Sequence, residues 1–196
     1  MRAFKIILEQ MLLVVVLESD SFFVVNISFS FGGSIINLKK MPFNIVLIEP
    51  EIPNNTGNIG RLSLASGSVL HLVKPFGFEL SDARLKRAGL DYWKHIKVKV
   101  YENLDEFIIV NKDKEMVFLS STAKKSYVSI DYKDGLFLVF GKESVGLPKQ
   151  LIANNSDTLF KIPIHSTYVR SLNLANAVGI VVFEGLRSIA DPSKGL

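Results

Sequence analysis

Three polar loops hold most of the residues able to do chemistry, and each follows an apolar run. The first spans residues 50–61 and carries Asn55 and Arg61. The second spans 141–148 and carries Gly141 and Glu143; the third spans 162–176 and carries Ser171 and Asn173. In open α/β sheets, ligands bind beyond the carboxyl ends of strands. Three such loops therefore suggest one composite pocket. Gly141-Lys-Glu-Ser-Val-Gly146 has the glycine spacing of a phosphate-binding loop, but Leu147-Pro148 stand where Lys and Ser/Thr are required. No G-x-G-x-x-G follows the first apolar run, which disfavours a nicotinamide-binding domain. Cysteine is absent, so disulfides, a thiol nucleophile and thiolate metal sites are excluded. His71, His95 and His165 share no i, i+4 spacing, so a helical zinc pair is not expected.

The elements that must position these loops alternate. Residues 43–48 form a continuous apolar run, as in a strand covered on both faces. Asn54, Asn55 and Thr56 can cap a helix running to Ser66, with Gly67 as its stop. Strands are expected at 69–73, 96–100, 116–120, 136–140 and 159–162. Helices are expected at 81–89, at 103–110 with an Asn103/Glu106 capping pair, at 148–154 and at 172–189. Alternation of this kind gives an α/β domain with a mainly parallel sheet flanked by helices.

The last helix is apolar almost all round, from Leu172 and Leu174 through Val181, Val182 and Phe183 to Leu186. A helix of that kind is buried on all sides. In a chain of 196 residues, a partner subunit provides the simplest cover, so a homodimer through this helix is expected. Gly60, just before Arg61, sits in the first helix where a larger residue would pack better, at a cost of about 1 kcal/mol against alanine.

Composition adds limits. Hydrophobic residues make up 48% and charged residues 21%, the balance of a globular chain. The net charge of +4 permits a nucleic-acid partner. Charge is concentrated at 84–99, where Arg84, Lys86, Arg87, Lys94, Lys97 and Lys99 face the single carboxylate of Asp91. Tyr92 and Trp93 lie inside that cluster and can stack on a splayed base.

Residues 1–40 read differently. Their longest apolar run, 11–17, is far short of the ~20 residues of a membrane helix, so no membrane association is expected. Met41 opens the clean strand pattern. We therefore expect a single domain at 41–196 and treat 1–40 as an N-terminal extension, as in a translated upstream stretch, with an extra hairpin, a membrane-associated tail or a signal segment as the competing readings.

The three loops together resemble the motifs of the SpoU-type RNA ribose methyltransferases of the SPOUT superfamily. Pro50-Glu-Ile-Pro-Asn-Asn-Thr-Gly-Asn-Ile-Gly-Arg61 is similar to the first motif. Leu138-Val-Phe-Gly-Lys-Glu-Ser-Val-Gly-Leu-Pro148 is similar to the second, and Ile162-Pro-Ile-His-Ser-Thr-Tyr-Val-Arg-Ser-Leu-Asn-Leu-Ala-Asn-Ala177 to the third. They stand in the family's order. Arg87-Ala-Gly-Leu-Asp-Tyr-Trp93 resembles the subgroup that methylates the wobble ribose of tRNA.

The resemblance implies a C-terminal trefoil knot, which pattern reading alone would replace with an ordinary open sheet. It implies S-adenosylmethionine as cofactor, held by Leu119, Gly141, Ile162 and Ser171. It implies catalytic roles for Asn55, Arg61, Glu143 and Asn173. For Arg61 it suggests a base-like role; a phosphate clamp that stabilises developing charge is equally open, since guanidinium stays protonated. Glu143 is expected to bond Arg61 or the opposite subunit. The partner implied is a tRNA anticodon stem-loop, touched by Arg84, Lys86, Arg87, Tyr92, Trp93 and Lys94, and the setting is cytoplasmic. Another RNA as substrate, or a non-catalytic RNA-binding protein, are the competing readings.

Overall fold

The computed structural model describes residues 28–31, 34–37, 42–79 and 92–190. The chain divides into two compact units, Met1–Lys40 and Met41–Leu196. In the first, β1 (Ser28–Phe31) pairs antiparallel with β2 (Ser34–Asn37).

The second unit is an α/β domain. Its strands are β3 (Phe43–Ile48), β4 (Val69–Val73), β5 (Val98–Tyr101), β6 (Met116–Leu119), β7 (Lys125–Ser126), β8 (Leu136–Phe140) and β9 (Leu159–Lys161). They form one sheet in the order β5-β4-β3-β8-β6-β9-β7, and every neighbouring pair is parallel. Among the described residues four α-helices accompany them: α1 (Pro53–Ser66), α2 (Leu104–Val110), α3 (Lys149–Asn154) and α4 (Leu174–Ile189).

The continuous apolar strands are explained by cover on both faces. On β3, Phe43, Ile45 and Leu47 enter one core with Ile59 of α1 and Val178, Val181 and Val182 of α4. Val46 and Ile48 enter the other, with Phe107 of α2, Tyr101 and Val139. A polar thread crosses the second core. His71 is fully buried; its Nδ1 lies 2.9 Å from the Tyr101 hydroxyl and its Nε2 lies 2.9 Å from Asn44 Oδ1. Burial, with Lys99 nearby, lowers the His71 pKa to about 4.

Local signals decide the helix ends. Gly67 stops α1 in the left-handed conformation, φ 72°. Asn103 caps α2 by accepting from Glu106 N at 2.8 Å. Two expectations need correction. The asparagines of 54–56 do not cap α1: Ile52 occupies the cap position without a side-chain bond, Pro53 supplies the first-turn geometry, and Asn55 faces elsewhere. Helix α4 starts at Leu174, not 172, so Asn173 is its N-cap.

Within the single chain, helix α4 buries one face and leaves another open. Val178, Val181, Val182 and Gly185 face the core, while Ile180 and Phe183 are 38% and 54% exposed. The strand expected at 96–100 begins at Val98, because Trp93–His95 form a 3-10 turn closed by Ile96 N donating to Trp93 O. The helix expected at 81–89 lies outside the described residues. Strand β7 was too short to be legible.

Candidate functional site

The carboxyl ends of β3, β8, β6 and β9 share one edge of the sheet, and the loops leaving them enclose a cavity of about 590 Å³. Leu119, Gly141, Ile162 and Ser171 all line it. So do Asn55, Glu143 and Asn173. Arg61 does not.

A chain of side chains ties the three loops together. Asn173 Nδ2 donates to Asn55 Oδ1 at 2.9 Å, and Asn55 Nδ2 donates to Glu143 Oε1 at 2.9 Å. The Glu143 carboxylate also accepts from the amides of Glu51 at 2.8 Å and Ile52 at 3.3 Å. It thus sits at the N-terminus of α1, where a negative charge is favoured by the helix dipole. Asn173 Oδ1 accepts from Ala175 N at 2.9 Å and Asn176 N at 3.3 Å. The amide orientation of Asn173 is fixed from both sides.

Sequence reasoning missed a second brace. Ser144 donates to Glu51 through its amide, 2.9 Å, and its hydroxyl, 2.8 Å. These bonds hold the Glu51 carboxyl below its ordinary pKa. Lys142 Nζ pairs with Glu49 at 2.8 Å, which raises the lysine's pKa. Glu49 itself sits at φ 49°, a left-handed conformation uncommon for a non-glycine residue. The available signal was the acid-rich Glu49-Pro-Glu51 opposite Lys142-Glu-Ser144, separated by about ninety residues and so not a visible pair.

Gly141 is required by close approach. A Cβ there would collide with the backbone of Gly146 and Leu147, where the loop folds back and Gly146 N bonds Lys142 O at 2.9 Å. The loop's backbone is thereby pressed against itself beside the cavity.

Glu143 does not bond Arg61. The Arg61 guanidinium lies over the Tyr92 ring, 5.3 Å from its centroid, and the Tyr92 hydroxyl donates to Gly57 O at 3.2 Å. Asn55 and Arg61 are six residues apart, which turns them onto different faces of α1. Tyr92 and Trp93 are half-buried and pack against the first core, and Lys94 is exposed. Arg84, Lys86 and Arg87 lie outside the described residues. The expectation for Gly60 is overturned: a Cβ would come within 2.7 Å of Trp93 Cζ3 and 2.8 Å of Ile96 Cδ1. Glycine there makes room for the tryptophan, so no larger residue fits. Among the described residues no cluster of His, Cys, Asp or Glu could hold a metal ion.

Residues 42–183 match the SpoU rRNA Methylase family. The tRNA (cytidine(34)-2'-O)-methyltransferase of Saccharophagus degradans is 43% identical over 148 residues, covering 75% of this chain and 96% of that protein. A structure described as giving structural insights into the 2-OH methylation of C/U34 on tRNA superposes with TM-score 0.70 at 39% identity, covering 75% of this chain and 95% of that one. The AdoMet-bound rRNA methyltransferase from Sinorhizobium meliloti superposes with TM-score 0.68 at 28% identity, over 78% of this chain and 59% of that one.

Proposed function

The chain belongs to the SpoU methylase family, and from that premise we propose that it transfers a methyl group from S-adenosylmethionine to the ribose 2′-hydroxyl of the wobble pyrimidine, position 34, of tRNA. The observation that carries this reading is the convergence of three distant loops on one cavity, joined by Asn173, Asn55 and Glu143. The similarity to proteins named for cytidine-34 methylation directs it to that nucleotide.

The residues present suit the cofactor. The cavity combines the apolar side chains of Leu119, Phe140, Ile162 and Ile164 with Ser171, Asn173 and the Glu143 carboxylate. Its size is in the range of small-molecule sites. When bound, S-adenosylmethionine supplies an electrophilic methyl carried on a positive sulfonium. Leu119, Gly141, Ile162 and Ser171 would hold the cofactor in this reading, offering apolar side chains together with the polar groups of the loop backbone. Glu143 contributes negative charge, and Asn55 and Asn173 fix the relative position of the loops. Positioning of this kind can supply much of a transfer reaction's barrier reduction.

Arg61 acts as a clamp. It stays protonated, binds the phosphate beside the target ribose and stabilises negative charge developing on the 2′-oxygen. It serves the cavity of a second subunit. Its place outside the lining of its own cavity supports this, as do the exposed Leu64, three residues on in α1, and the exposed Ile180 and Phe183 of α4, the helix packed against α1. Helices α1 and α4 pack on each other on that side of the sheet. We therefore assign the homodimer interface to α4 and its α1 neighbour.

The same reading gives the C-terminal part a trefoil knot and makes 41–196 one catalytic domain, with 1–40 an extension outside it. Tyr92, Trp93 and Lys94 join Arg84, Lys86 and Arg87 as the tRNA contacts, and the place of action is the cytoplasm. No helix among the described residues is long and apolar enough to cross a membrane.

The test is incubation of the full chain with S-adenosylmethionine and bulk tRNA lacking wobble-ribose methylation, followed by digestion and mass spectrometry. A new 2′-O-methyl nucleotide at position 34, lost in Arg61→Ala, is the expected result. Methylation elsewhere would move the reading to another RNA position. Cofactor binding without any product would remove the wobble assignment.

A further inference from the structure

We propose that Tyr168 and Arg170 form the receiving edge for the substrate RNA, Tyr168 stacking on an unstacked base beside the target ribose and Arg170 taking the adjoining phosphate. The proposal rests on the methyltransferase reading and adds a binding surface to it.

Four observations lead here. First, Arg170 lines the cavity, so the segment that carries it forms part of the cavity's wall. Second, Tyr168, two residues earlier, is 96% exposed, and Val169 between them is 51% exposed. The tyrosine ring is not used in either hydrophobic core. Third, the backbone presenting it is held: Tyr168 N donates to Ser166 Oγ at 3.1 Å. Fourth, the chain carries no Asp or Glu between Asp157 and Glu184, a stretch that includes the whole cavity wall from Ile162 to Ala177. Arg170 forms no ion pair among the described residues.

An aromatic face open to solvent, beside a guanidinium that forms no ion pair among the described residues, is the pairing that single-stranded RNA recognition uses. The ring accepts any base through its π-face, while the guanidinium binds the phosphate oxygens. A loop nucleotide must leave its stack for its ribose to enter a cavity, and an aromatic platform at the mouth compensates the lost stacking. Tyr92 and Trp93 fill this need poorly, because both are half-buried and Tyr92 already carries Arg61 on one face.

The experiment measures binding of an anticodon stem-loop RNA by fluorescence anisotropy with the full chain, beside cofactor binding by calorimetry. Tyr168→Ala should weaken RNA binding roughly tenfold or more, as loss of one base stack does. Tyr168→Phe should bind as the unsubstituted chain does. Cofactor affinity should be the same in all three. Arg170→Gln should weaken RNA binding and lower the slope of log affinity against log salt by about 1.

Unchanged RNA binding in Tyr168→Ala overturns the proposal. So does equal loss in Tyr168→Phe, which would make the hydroxyl the contact. A shift of the Tyr168→Ala variant to a smaller oligomer by light scattering also overturns it, since the ring would then be packing on a second subunit. The direct binding readout separates this from the activity reading. RNA binding that depends on Tyr168 without any methylated product would sink the enzyme and keep the edge. Product formed at the unsubstituted rate by Tyr168→Ala, with RNA binding intact, would do the reverse.

Discussion

Asn173 donates its side-chain amide to the side-chain oxygen of Asn55 at 2.9 Å, across 118 residues of sequence, while its own oxygen caps helix α4. One residue thus carries a helix end and a loop junction. The two duties can be separated. Asn173→Asp keeps an oxygen for the cap and loses the donor, so stability should stay near that of the parent chain while cofactor affinity falls. Asn173→Ala loses both and should also be less stable by about 1 kcal/mol. Urea denaturation and calorimetric titration of the two variants would test this; equal stability losses would make the cap irrelevant.

The Glu51–Ser144 brace sits at the lip of the same cavity. Ser144→Ala removes the hydroxyl donor and leaves the amide bond in place. We expect a few-fold loss of cofactor affinity, with RNA affinity unchanged, and recovery in Ser144→Thr. Because Glu51's carboxyl is held low in the folded chain, the brace is present above the ordinary carboxylate range and is lost as pH falls through the folded pKa. Cofactor affinity measured in acid should converge for Ser144→Ala and its parent.

Gly60 gives a prediction opposite to helix propensity. Alanine is the better helix former by about 1 kcal/mol, yet its methyl would strike Trp93 and Ile96. Gly60→Ala should destabilise by about 1–3 kcal/mol, as overpacking does. Adding Trp93→Leu should recover part of that loss. A Gly60→Ala chain more stable than its parent would show that the tryptophan moves aside freely.

How much of this could be read beforehand differs between elements. Strands β3, β4 and β8 were legible to the residue, because burial on both faces writes a continuous apolar run. The seven expected site residues that line the cavity could be singled out only through their likeness to a family. The position of three loops after apolar runs suggested one pocket, but composition and spacing say nothing of which side chains meet there. Two polar positions were misjudged for a shared reason. Asn55 looks like a cap because it precedes a helical pattern, and Asn173 looks interior because Leu172 looks helical; in each case the deciding partner lies some 90 to 120 residues away. Gly60 was opaque for the same cause, since Trp93 comes from another turn of chain.

His71 sets a pH dependence of stability. Its folded pKa of about 4 lies below the ordinary 6.5, so the unfolded chain takes the proton first. The stability this group contributes is complete above pH 6.5 and is lost as pH falls toward 4, a change on the order of 3 kcal/mol. Urea midpoints taken at intervals between pH 7 and 4 should show the decline. A midpoint flat across that window would mean that His71 takes up its proton as readily in the folded chain as in the unfolded one.

The proposed action of Arg61 across the two subunits of a dimer has a direct test. Arg61→Ala and Asn173→Ala homodimers should each be inactive. Subunits exchanged between them should regain activity, because a mixed dimer then pairs one intact cavity with one intact arginine. If each arginine served its own cavity, mixing would recover nothing.

The junction between Asn55 and Asn173 also sets an order of events. During synthesis, the first loop emerges long before the residue that completes its connection. A partly made chain therefore has walls without a closed site, and the small molecule has nothing to grip until the start of α4 is in place. A ligand that binds only the finished form adds stability in proportion to its own concentration. Cofactor supply should thus protect completed chains and leave incomplete ones to proteolysis, making the site a check on its own maturation.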